Sequence, residues 1–341
     1  MTVRRAALVL VWCAAGAVAA QDRVGPDVRA VLTQRLRFSE SDLAELSRGR
    51  VVKHDLPSPA AGEVAVVGAV RVHASKSAFF ARVHDIARFK SGPGVLQIGR
   101  FSQPPALDDL AALTIDRDDF DVQSCRVGDC GIRLPADIIN RLTTAIDLRA
   151  PDAQARGAAW FKQVLLDHVV GYTTDGARMT QYDDGPKPIR PQDECDGILA
   201  GMPEIGALVP GLPEHLGRFP SARLAGADDF LYWSKETFSS AAPFITVTQV
   251  TMVCPSSALC VMATKDVYSS RYLDASIALA IAADVAGAAD TFDLIYENRS
   301  RANALKGFMS GMRRSLTERR ARGGLEESLK TIKTQLEAVA R

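Results

Sequence analysis

The chain has 341 residues, 47% hydrophobic and 24% charged, with 41 Lys and Arg against 40 Asp and Glu for a net charge of +1. This composition excludes a disordered chain and carries no global signature of nucleic-acid binding. The length exceeds what one core usually organises, which predicts one large domain with insertions or two domains.

The first twenty residues, MTVRRAALVLVWCAAGAVAA, set Arg4 and Arg5 before an apolar run and a small-residue exit. They read as a secretory signal peptide cleaved after Ala19 or Ala20, which delivers the rest to the periplasm or the outside. Short helices follow at 28–34 and 41–47, the second capped by Ser39 or Ser41 and stopped by Gly49, with a strand-like run at 51–56. After the Pro57-Ser58-Pro59 break, residues 63–73 alternate as a strand, and Ser75 caps a helix to about 89 carrying Phe79, Phe80, Val83 and Ile86. Strand-like runs at 94–101 and 131–134 flank the acidic segment 108–121. Helices are expected at 135–148 and at 152–172, the latter with Trp160, Phe161, Val164, Leu165 and Val169 on one face. Seven prolines then crowd 186–220, predicting a lid-like insertion or coil packed over the core.

The last third reads as a β-meander over 230–235, 244–253, 261–268, 276–282 and 292–297. Two helices close it. One carries Leu305, Phe308, Met309, Met312 and Leu316; the other follows Gly323-Gly324 with Leu325, Leu329, Ile332, Leu336 and Val339. Glu297-Asn298-Arg299-Ser300-Arg301 reads as a helix-start cap with ion pairs. The apolar run 277–289 is broken by Asp284 and is too short to cross a bilayer. The expected organisation is a signal peptide (1–20), an N-terminal helical segment (21–60), an α+β domain (61–322) with an insertion at about 94–229, and a C-terminal helix (323–341).

Two cysteine pairs suggest local disulfides. Cys254 and Cys260 bracket a hairpin whose register sets Met252 opposite Met262 and Val250 opposite Thr264, while Cys125 and Cys130 enclose the turn residues Gly128-Asp129. Cys195 is left unpaired. Its acidic neighbours Asp193, Glu194 and Asp196 argue against a reactive thiol.

The order of strand 63–73, helix 76–89, meander 230–297 and a long helix 299–320 is similar to the helix-grip fold of START-like and polyketide-cyclase-like proteins. That resemblance implies a curved antiparallel sheet wrapping a C-terminal helix, around an apolar cavity for lipids or other hydrophobic ligands. It covers roughly half the mature chain, with a large mostly helical and Pro-rich insertion departing from the compact pattern.

On a curved sheet, Tyr232, Trp233, Met252, Met262, Tyr268 and Tyr272 are the candidate lining, with Glu236 and Arg271 as orienting polar groups. No nucleophile elbow, metal helix, phosphate loop or calcium loop occurs, and the five histidines are scattered singly. No catalytic residue, metal or cofactor is therefore expected. The sequence points to an exported, non-enzymatic binder of a lipid or other hydrophobic small molecule. The alternatives are an exported hydrolase or cyclase-like enzyme and an envelope structural protein. Nucleic acid is not expected as a partner; Lys306, Arg313, Arg314, Arg319, Arg320 and Arg322 give the late helix a basic face suited to peripheral membrane contact.

Overall fold

The computed structural model describes residues 28–339 apart from 59, 93, 239–240 and 307–309. The expected signal peptide, Phe308 and Met309 lie outside the described residues. The architecture is α+β. Strands β1 (Val52–Asp55), β2 (Glu63–Val72), β3 (Val95–Arg100), β4 (Asp228–Glu236), β5 (Phe244–Ser256), β6 (Leu259–Ser269), β7 (Ala275–Asp284) and β8 (Phe292–Arg301) form one open antiparallel sheet. Its order is β1-β2-β8-β7-β6-β5-β4-β3. The five-strand meander appears where Val, Ile, Ala and Thr alternate, and the β5–β6 hairpin sets Met252 opposite Met262 and Val250 opposite Thr264. Disulfides join Cys254 to Cys260 and Cys125 to Cys130, and Cys195 is free and buried.

After a short helical stretch (α1, Val28–Ala30, continued by a π-turn) and α2 (Glu40–Ser47), the chain enters the sheet at β1. Ser39 caps α2 in a reciprocal box with Asp42. β2 and β3 lie far apart in the sheet, so the chain between them crosses its face as α3 (Lys76–His84) and α4 (Ile86–Phe89). The expected single helix is divided at Asp85, whose side chain accepts from Arg88 N–H and starts the second one.

That crossover reports the shape of the sheet. Phe79 packs on Phe292 of β8 at 6.1 Å, and His84 on Phe230 of β4 at 6.2 Å. Strands four places apart in a flat sheet are about 19 Å apart, whereas positions five residues apart on a helix differ by about 7.5 Å in rise. The sheet therefore bends around α3, making a hollow face and an outer face.

Helix α10 (Ser310–Val339) seats Leu325, Leu329 and Leu336 on the hollow face against β2. It is a single helix through Gly323-Gly324, correcting both the expected break there and the expected start near 299. Two glycines cost a helix about 2 kcal/mol together, less than burying three leucines returns. Residues 297–301 are not a helix cap; they complete β8, with every residue paired to β2 and β7.

The outer face is covered by the chain between β3 and β4 together with the N-terminal helical stretch. Helices α5 (Ala136–Ala145) and α6 (Ala153–Thr174) pack over β4 to β6, with Phe161, Val164, Leu165 and Val169 buried as expected. The 186–220 passage is not coil. It folds as α7 (Pro191–Ala200), α8 (Pro203–Leu208) and α9 (Leu212–Arg218), each with proline in its first two positions. Proline there forfeits no hydrogen bond, because the first helical N–H groups have no intrahelical acceptor. Residues 131–134, expected as a strand, are irregular and held by Arg133, whose Nη2 donates to Asp274 at 2.7 Å.

Candidate functional site

Strand alternation sorts the hollow face into two zones. At one end, Val70, Val72, Ala282, Phe292 and Leu294 meet Phe79 and Val83 of α3 in a closed apolar core, with Met252 and Met262 nearby. At the other, the same face carries Ser234, Thr246, Thr248, Thr264, Asp266, Ser276, Asn298 and Ser300. An inward sheet face is ordinarily apolar, so this polar floor is an exception that calls for a role. Thr264, Asp266, Ser276, Tyr296, Asn298 and Ser300 are only half-buried, so the floor keeps contact with solvent.

The floor is organised around three charges. Lys90, at the end of α4, contacts Glu236, and its Nζ sits 5.3 Å from the centre of the Tyr232 ring. Ser234 donates to Glu236 and is 3.0 Å from Thr246 Oγ1. Thr248 Oγ1 donates to Asp266 Oδ1 at 2.8 Å. Beyond these, Ser276 Oγ lies 2.9 Å from Ser300 Oγ, and Ser300 donates to Asn298 Oδ1 at 2.9 Å.

Electrostatics shows how deep this floor lies. Burial pushes the Asp266 carboxyl up to about 6 against the opposing pull of Lys90 and the Thr248 hydrogen bond. Burial also raises the Tyr232 phenol, and takes Tyr296 up to about 12. For Lys90 burial acts downward, but Tyr232 and Glu236 outweigh it and hold the ammonium charged. Asp266 and Tyr296 thus combine open surface with strong desolvation, as groups recessed in a concavity do.

The candidate lining separates into two sets. Tyr232, Glu236, Met252 and Met262 share the hollow face. Trp233 and Tyr268 point the other way and anchor the chain between β3 and β4: Trp233 Nε1 donates to Asp109 O at 2.8 Å, and Tyr268 Oη to Arg133 O at 3.0 Å. Arg271 does the same through Gly131 O and Asp119 O. Tyr272 packs with Phe244 and Phe238 and donates to Ala242 O at 3.0 Å. Lys90, Asp266, Ser276, Tyr296, Asn298 and Ser300 were missed. Polar residues at period two signal a strand face, but not that the face points into a hollow.

Other arrangements are less suited to a ligand. His215 Nε2 lies 3.0 Å from Asp229 Oδ1, which also accepts from Thr251 and Gln249. Its Nδ1 is engaged by the Ala222–Leu224 backbone, so the pair of buried His215 and half-buried Asp229 clamps α9 to the sheet. A cleft of about 550 Å³ between α5 and α6 is lined by Asp137, Arg141, Trp160 and His168. Burial pushes His168 down to about 4, leaving it neutral and hydrogen-bonded to the backbone of Val267. A second cleft, of about 770 Å³, runs beside Cys254–Cys260 and the 284–291 turn.

No family model, curated protein or solved structure matches the chain. Two disulfides fit an oxidising compartment, and no described helix is long and apolar enough to cross a membrane.

Proposed function

We propose that the protein is a periplasmic or secreted binder of a lipid or other hydrophobic small molecule, held in the hollow between α3, α4 and α10. The observation that carries this reading is the recessed polar floor with the half-buried Phe89, Ile98 and Tyr296 beside it: apolar side chains with a few convergent polar groups are the usual make-up of a small-molecule site. The sheet bent around α3, with a terminal helix on its hollow face, supports the helix-grip resemblance. Native mass spectrometry of protein purified from the periplasm without detergent tests it. A co-purifying apolar mass, exchangeable for added lipid, is the expected result. A bare chain that takes up no added lipid overturns the reading.

One observation favours a second reading, an exported cyclase-like or hydrolytic enzyme. Asp266, raised to about 6 beside two phenols, is poised for proton transfer near neutral pH. Chemical change in the bound molecule during incubation, absent in Asp266→Asn, distinguishes enzyme from carrier.

A further inference from the structure

We infer that the hollow selects amphiphiles with a cationic, ammonium-type head, and that Asp266 is the group that receives it. The inference rests on the hollow being the ligand site and adds the chemistry of its occupant.

The charge inventory comes first. The charged groups whose fields reach Asp266 are Lys90 and Glu236. Lys90 is committed to Glu236, and Asp266 forms no ion pair with any described residue. With Asp266 ionised, the floor carries one uncompensated negative charge in a desolvated recess. A recessed carboxylate without its own counter-ion is costly unless a ligand supplies the cation.

Geometry points the same way. Thr248 occupies only Oδ1 of Asp266. The other oxygen has no donor among the described residues and is not sealed from solvent, so it is available to an incoming N–H. Ser276 lies on the adjacent strand one step past the Lys265–Ile277 pair, and the Thr264 and Tyr296 hydroxyls share the face. These oxygens can accept the remaining protons of an ammonium, while the half-buried Phe89, beside Lys90, and Ile98, paired with Ser234, are placed to meet an alkyl body. One carboxylate among hydroxyls is a poor divalent-cation site, which needs several charged oxygens. A fatty-acid carboxylate would meet Asp266 as a like charge.

Isothermal titration calorimetry with n-decylamine, n-decanol and n-decanoate, all below their aggregation limits, tests the inference. The amine is expected to bind about 10- to 100-fold more tightly than the alcohol, as one charge-assisted hydrogen bond in a desolvated site allows, with decanoate weakest. In Asp266→Asn the amine-to-alcohol ratio should fall toward one. The unmodified protein supplies a readout that needs no variant. Its amine preference should fade as pH falls through about 6, because Asp266 protonates while Lys90 stays charged and Tyr232 and Tyr296 stay neutral. Glu236, held by Lys90 and Ser234, also faces this group. Equal amine and alcohol affinities, or tightest binding of decanoate, would overturn the ammonium inference while leaving the hollow a ligand site. Failure of all three to bind would overturn both.

Discussion

Glu297 shows how one residue can carry a pH dependence for the whole fold. It is fully buried on the outer face, its Oε1 accepts from Arg299 at 2.8 Å, and its carboxyl meets that of Glu204 on α8. Glu204 Oε1 and Glu297 Oε2 are both without donors, which a single shared proton would satisfy. Burial, then the neighbouring Glu204, push Glu297 up to about 8 from 4.5. Between those values the folded protein holds a proton that the unfolded chain has released, so stability is fully present below 4.5 and is lost as pH rises through 8. Glu297→Gln should shrink that loss, which is of the order of a few kcal/mol, and melt above the unmodified protein at pH 9; thermal melts at pH 6 and 9 check this. The role was not legible in the sequence. Glu-Asn-Arg-Ser-Arg lacks the apolar partner that marks a strand, and only pairing on both sides makes 297–301 one.

At the scale of elements, α10 depends on a close approach to β2. A Cβ at Gly68 would lie 3.0 Å from Leu329 Cδ1 and from Val52 O, and 3.1 Å from Leu325 Cδ2. Val52 O, on the paired strand β1, cannot yield as a side chain can, so the added methyl of Gly68→Ala should press on Leu325 and Leu329, loosen α10 and raise hydrogen exchange across 321–338. Leu329→Ala removes the contact without a clash and should cost about 2–5 kcal/mol in chemical denaturation. The first half of α10 makes no comparable seat: Met312 is 68% and Leu316 48% exposed. The apolar positions 325, 329, 332 and 336 were legible by their spacing. The continuity of the helix was not, because Gly323-Gly324 is a local stop signal that the burial of Leu325, Leu329 and Leu336 beyond it overrides. Prolines 191, 203 and 213 misled for the converse reason: the same residue that breaks a helix interior suits its first turn.

For the whole molecule, the disulfides are a test of compartment and stability together. Under denaturation, protein produced in an oxidising compartment should yield one reactive thiol among the described cysteines, Cys195. Replacing Cys254 and Cys260 together with serine should lower stability by about 2 kcal/mol, the chain-entropy value for so short a loop, read as a fall in melting temperature. By itself the sequence determined the meander and its hairpin register, the two disulfides and the polar, apolar or aromatic character of each strand position, because those follow from local pattern and short-range spacing. Tertiary structure alone decided which alternating face looks into the hollow. It did so because α3 and α10 bend the sheet around themselves, setting Tyr232 inward and Trp233 outward from neighbouring positions. That same curvature gathers Lys90, Asp266 and Tyr296, far apart in the chain, around one recessed floor, and no spacing within the sequence could express it.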